Sequence, residues 1–226
     1  MGSVIAMVAV VTVVAGLATV TTNKVHAALT GGTPKPKRLQ GLLDEWRLVL
    51  RGARRQLTTL KPTEMDLLGQ APEPDAKRLR ARHRIAGTLR TIYREDVAHF
   101  VRQDYPKAET PTSLTLVQTA DREYVYRRAG DQTFVTVDGG PGGVIVGDVL
   151  RAPGGGAERA RLAPQRDGRT VHLDASDRTL AILLKAGSTR AIEPRAFEFV
   201  DLRADGDREL VEALGFHFLL TENLPA

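Results

Sequence analysis

From Val4 to Val20 the chain reads VIAMVAVVTVVAGLATV, seventeen residues without a charge, an Asn, a Gln or a Pro. As a helix this run spans about 25 Å, and with Gly2, Ser3, Thr21 and Thr22 it approaches the ~30 Å core of a bilayer. Its β-branched content disfavours a helix in water. In hydrocarbon, a helix satisfies every backbone N–H and C=O within a single segment. The run therefore predicts a transmembrane helix over residues 1–23, followed by a linker over 24–38.

Two other readings are open. The sequence Val25-His26-Ala27 is a tolerable cleavage site, which would make the run a signal peptide and the remainder a secreted or periplasmic β-domain protein. A buried core segment is the other, although seventeen apolar residues exceed the usual length. Myristoylation fails because position 6 is Ala. For a span, Lys24, Lys35, Lys37 and Arg38 follow closely and no side-chain cation precedes it, so the positive-inside bias predicts the N-terminus outside and the C-terminal domain cytoplasmic.

The charge is unevenly spread. Of 226 residues, 32 are Lys or Arg and 27 are Asp or Glu. Residues 34–110 hold 17 of the cations against 10 acids, whereas residues 111–226 hold 14 against 17. The absence of Cys excludes disulfides, thiol nucleophiles and Cys-based zinc sites.

After the Gly- and Pro-rich linker, Leu39, Leu42, Leu43, Trp46, Val49, Leu50, Ala53, Leu57 and Leu60 recur at three- and four-residue steps. That spacing predicts an amphipathic helix ending near Lys61-Pro62, with a short helical turn over 63–68. From Asp75, the run Leu79, Ile85, Ala86, Leu89, Ile92, Tyr93, Val97, Phe100 and Val101 predicts a second helix, completing a basic amphipathic hairpin over 39–110. Arg47, Arg51, Arg54 and Arg55 lie on the polar face of the first helix, and Lys77, Arg78, Arg80, Arg82 and Arg84 on the second. On the cytoplasmic side such cations suit anionic lipid or an acidic protein partner in a membrane complex. A nucleic-acid binder using the 77–84 cluster is the alternative, but no helix-turn-helix, zinc or aromatic RNA-binding signature accompanies the arginines.

From Thr112 the period becomes that of strands. The runs Leu114–Val117, Tyr124–Tyr126, Phe134–Val137, Val144–Leu150, Val171–Leu173 and Leu180–Leu184 are separated by turns such as Ala129-Gly130-Asp131 and Asp138-Gly139-Gly140. They predict an antiparallel β-domain over 111–226, curled into a barrel or sandwich. A segment at about 205–222, including ELVEALGFHFLL, is apolar in nearly every helical direction and is expected to be a buried helix. The fold class expected is α+β: a transmembrane helix, a helical hairpin, then a barrel-like domain around its last helix.

The hairpins EYVYRRAGDQTFVTVDGG and DGRTVHLDASDRTLAILL, with the ending FEFVDLRADGDRELVEALGFHFLL, resemble the barrel family of tubby-like, LURP-one-like and phospholipid-scramblase proteins. The resemblance covers about residues 112–224 and implies an apolar helix threading the barrel. The family's acidic segment before the final helix is not matched, since Pro194, Arg195 and Ala196 stand there. It therefore lends no support to calcium-triggered lipid scrambling.

Motifs for chemistry are sparse. The glycine clusters at 139–143 and 154–156 lack a following Gly-Lys-Ser/Thr and read as turns. Ser188 is not in a nucleophile elbow, and the five histidines lack paired-ligand spacing. Asp201, Asp205, Asp207 and Glu212 occupy positions 1, 5, 7 and 12 of a calcium-loop template, but Arg203 stands at position 3, where an oxygen ligand belongs. They read rather as acids gathered at a helix N-terminus, where they suit the dipole. No catalytic set and no cofactor are expected. The sequence points to a single-pass membrane-anchored, non-enzymatic adaptor, with an enzyme of dispersed site as a further alternative.

Overall fold

The structure, a computed structural model, describes residues 36–75, 83–165, 168–173, 178–187 and 194–224. The apolar run at 4–20 lies outside them. Among the described residues no helix is long and apolar enough to cross a membrane.

Among the described residues, twelve antiparallel strands follow one another in chain order: β1 (Glu73–Pro74), β2 (Arg84–Arg90), β3 (Asp96–Tyr105), β4 (Thr112–Thr119), β5 (Glu123–Ala129), β6 (Gln132–Val137), β7 (Gly140–Val146), β8 (Val149–Arg151), β9 (Glu158–Gln165), β10 (Gly168–Leu173), β11 (Thr179–Leu184) and β12 (Phe197–Val200). Helix α1 (Pro36–Arg54) precedes the sheet and α2 (Asp205–Glu222) follows it, with a short 3-10 helix at Pro62–Leu67. The β6–β7 turn shows how sequence dictates such a hairpin. Asp138 and Gly139 both adopt positive φ, 50° and 80°, as a type I′ turn requires of its two central residues.

Residues 68–70 bring the two ends of this sheet together. On one side Gly69 N–H donates to the Arg90 carbonyl at 2.7 Å, beside a bridge from Leu68 to Thr91. On the other, Ala196 N–H donates to the Leu68 carbonyl at 2.7 Å and Gln70 N–H to the Pro194 carbonyl at 2.6 Å. Leu184 N–H in turn donates to Ala196, joining the seam to β11. The ring is barrel-like, and its seam needs a glycine: a Cβ on Gly69 would stand 2.8 Å from the Arg90 oxygen.

The ring surrounds α2. Leu210, Val211, Ala213, Leu214, Phe216, Phe218, Leu219 and Leu220 are all buried, so the helix is enclosed on every side. They pack against inward-facing Leu89, Phe100, Val117, Ile145, Leu162 and Leu183. A second core lies outside the ring, where Leu39, Leu43, Trp46 and Leu50 of α1 cover Ala86, Val101, Leu114, Leu116 and Val125. Strand β4 lies between the two, and all eight of its residues are buried.

The double cover explains the main correction to the sequence reading. The second helix expected from Asp75 to Val101 is absent; Arg84–Arg90 and Asp96–Tyr105 are strands β2 and β3, and the sheet begins at Glu73 rather than 111. Phe100 faces α2 and Val101 faces α1, so apolar residues occupy both faces of β3. Alternation is lost, and the spacing that remains imitates a helix. The first helix is present but ends at Arg54, short of Lys61.

Candidate functional site

The first half of α1 forms one wall of a groove on the outer face of the sheet. Alternation along the strands builds the floor. Tyr124, Tyr126 and Val135 turn toward α2, which leaves Val125 and Arg127 of β5 and Phe134 of β6 on the outside, beside Val144 and Val146 of β7. The Asp138-Gly139 turn and Pro153-Gly154 close the far rim, and the space enclosed is about 1120 Å³. Leu39 and Leu43 continue the apolar floor up the helix wall.

Among the described residues the charged side chains lining this groove are all cations: Lys37, Arg47 and Arg127. The Arg127 guanidinium lies 4.9 Å from the centre of the Phe134 ring, a cation–π arrangement that keeps the charge over the apolar floor. Arg47 is engaged from the side, its Nη2 donating to Glu123 at 2.6 Å, and that bond raises its pKa further. Lys37 and Arg127 form no ion pair among the described residues.

The arginines singled out in the sequence separate in space. Arg51 and Arg55 are exposed near the end of α1, and Arg54 donates from Nε to the Ala120 carbonyl at 3.0 Å. Lys77, Arg78, Arg80 and Arg82 lie outside the described residues. Arg84 is not a surface cation. It is 5% exposed, its guanidinium sits 5.6 Å from the Trp46 ring centre, and Nε donates to Gln103 at 3.2 Å. Burial pulls its pKa below the ordinary arginine value. The row of arginines read along 77–84 as one ligand-facing face therefore loses its last member to the core under α1.

The acids before and within α2 face arginines and N–H groups. Asp207 accepts from the backbone N–H of Arg203 at 2.9 Å and of Ala204 at 3.2 Å, and pairs with Arg178. Burial opposes its ionisation, yet these donors hold its pKa below the ordinary carboxylate value. Asp201 pairs with Arg203 at 2.8 Å. Glu212 is 2% exposed and accepts hydrogen bonds from Arg208 at 2.7 Å and from the Tyr124 hydroxyl. The carboxylates of Asp201, Asp207 and Glu212 thus go to different partners, the side chain of Asp205 lies outside those described, and no group of three ligands suited to a metal occurs among the described residues.

Sequence reasoning did not find the contacts that seat α2. The Tyr126 hydroxyl donates to the Ala213 carbonyl at 2.8 Å, and Asn223 Nδ2 donates to the carbonyls of Gln70 and Leu184. Burial is the first cause that raises the Tyr124 and Tyr126 pKa values, with Glu212 adding to it, so both phenols stay protonated. The available signal was the pair of tyrosines two residues apart in β5, which alternation places on one face.

No family model matches the chain, and neither a curated protein nor a solved structure does.

Proposed function

We propose that this chain is a single-pass membrane-anchored, non-enzymatic adaptor whose folded unit holds an acidic, amphipathic segment of a protein partner in the groove beside α1. The observation that carries the reading is the make-up of the groove among the described residues: an apolar floor, three lining cations and no lining acid. A partner helix or strand with apolar residues on one side and Asp or Glu on the other matches both features. The apolar run at 4–20 and the cations that follow it support an anchor with the folded unit in the cytoplasm. The sequential strands around an apolar final helix support a tubby-like barrel as its architecture. Anionic lipid is the competing ligand, because Lys37, Arg38, Arg51 and Arg55 are exposed on or just after α1.

The test uses the full chain in nonionic detergent and two labelled amphipathic peptides with identical apolar positions, one bearing Glu and the other Lys on its polar face. Anisotropy should show binding of the Glu peptide only. The double substitution Lys37→Glu/Arg127→Glu should weaken it at least about tenfold, a difference of ~1.4 kcal/mol. Equal binding of both peptides, or indifference to the double substitution, would overturn the groove. Lipid would take its place if the double variant and the native chain, reconstituted in vesicles, recruit anionic lipid equally while neither peptide binds. A reporter active only in the cytoplasm, fused after Ala226, should be active; silence from a stable fusion would reverse the topology.

A further inference from the structure

The end of the ring around the last turns of α2 is hollow. A cavity of about 350 Å³ lies there, on the opposite face of the sheet from the α1 groove. We propose that it binds a small organic anion, a carboxylate or phosphate carried on a short apolar body.

Alternation along the strands aims the polar side chains into this space. Arg102 comes from β3, Arg128 from β5 and Arg169 from β10, so cations enter from well-separated parts of the ring. Each is braced from behind. Arg102 donates through Nη1 to the Leu220 carbonyl and through Nε to Asp104 at 3.0 Å. Arg128 Nε donates to the Gly130 carbonyl at 3.0 Å, and Arg169 lies 3.6 Å from Asp148. A guanidinium carries five donor hydrogens, so these bonds orient the groups and leave donors for a ligand.

Ser113, Thr115 and Thr133 bring three hydroxyls to the same lining, in residues no more than 8% exposed. Among the described residues none of the three has a hydrogen-bond partner. The three hydroxyls open onto the cavity rather than being sealed in the core, so an anion between them and the arginines would meet donors from both. Ile145, Leu162 and Phe216 supply the apolar part of the lining, and the volume is within the range of small-ligand cavities.

The carbonyl end of α2 would repel an anion. Arg102 covers the Leu220 carbonyl, and Asn223 N–H covers that of Leu219. The acids of the lining belong to its rim: Asp148 faces Arg169, Glu222 pairs with Lys185 at 3.1 Å, and Asp131 is exposed on the β5–β6 turn. His217 reports the balance. It faces the cavity with its ring 5.9 Å from that of Tyr126, and its pKa is pulled down to about 4, first by burial and then by Arg102 and Arg128 against the opposing Glu222.

The test is a titration of the full chain, in discs of zwitterionic lipid, with hexanoate, hexyl phosphate, hexanol and inorganic phosphate. The readout is the ring resonances of the histidines, with His217 assigned through His217→Gln. Hexanoate or hexyl phosphate should shift the His217 signals saturably and raise its pKa, because an added anion favours the imidazolium. Hexanol should not. Arg128→Gln/Arg169→Gln should weaken binding at least about tenfold. Thr133→Val, which keeps the side-chain volume, should also weaken it if the ring stays folded by circular dichroism. The site is overturned if His217 stays unmoved at saturating anion, if hexanol binds as well, or if the double variant binds as tightly as the native chain. Equal affinity for inorganic and hexyl phosphate would overturn the apolar half of the ligand.

Discussion

His217 makes the stability of the folded unit depend on pH in a window that can be stated in advance. The imidazole is neutral in the folded chain because burial disfavours its charge and Arg102 and Arg128 oppose a third cation. Its pKa is about 4 when folded against 6.5 as the ordinary value, so between these limits the unfolded chain binds a proton that the folded chain does not. Stability is therefore complete at neutral pH and is lost as pH falls through 6.5 toward 4. At about 1.36 kcal/mol per unit, the loss is on the order of 1 kcal/mol at pH 5.5 and of 2–3 kcal/mol at pH 4.5. Urea unfolding of the full chain in nonionic detergent, followed by the fluorescence of its single tryptophan, Trp46, measures it. In His217→Gln this part of the pH dependence should vanish. The carboxylates held below their ordinary values, Asp121 and Asp207, act at more acidic pH. An identical loss between pH 7.5 and 4.5 in His217→Gln and the native chain would refute the assignment.

Three further substitutions probe what holds α2 and the ring. Leu214→Ala removes a fully buried side chain from the middle of the enclosed helix and should cost about 2–5 kcal/mol, read as a lower urea midpoint with unchanged slope. Tyr124→Phe withdraws the hydroxyl that donates to buried Glu212 and should cost about 1–3 kcal/mol, whereas Tyr93→Phe at the exposed β2–β3 turn should change the midpoint little. Gly168→Ala puts a methyl group into the Leu183 carbonyl across the β10–β11 pair. It should lower the thermal midpoint well beyond Gly206→Ala, where a Cβ meets open space. A native-like midpoint for Gly168→Ala would contradict the register of those strands.

Most strands of the C-terminal half were legible because alternation and turn chemistry are local properties, although β9 was not among the runs read and the run Val144–Leu150 divides into β7 and β8. Asp138-Gly139 selects its hairpin through backbone angles that few other pairs adopt without strain. The enclosed helix was equally plain, since a segment apolar in every direction is stable in water only when surrounded. The sequence also marks α1, whose apolar stripe from Leu39 to Ala53 needs one covered side.

Burial from two sides at once is a tertiary fact, and it was invisible along the chain. Strands β2 and β3 read as a helix because α2 covers one of their faces and α1 the other, which removes the alternation that identifies a strand. The same packing moved Arg84 from an apparent surface row to a place beneath Trp46. Sites assembled from distant positions share this property. Residues 68–70 meet 90 and 194–196 at the seam, and Arg102, Arg128 and Arg169 meet in one cavity only because the ring closes. Local spacing determined which segments are strands or helices where each has one buried face. Closure of the sheet decided which side chains face one another, because contacts across a ring depend on the register of every strand between them.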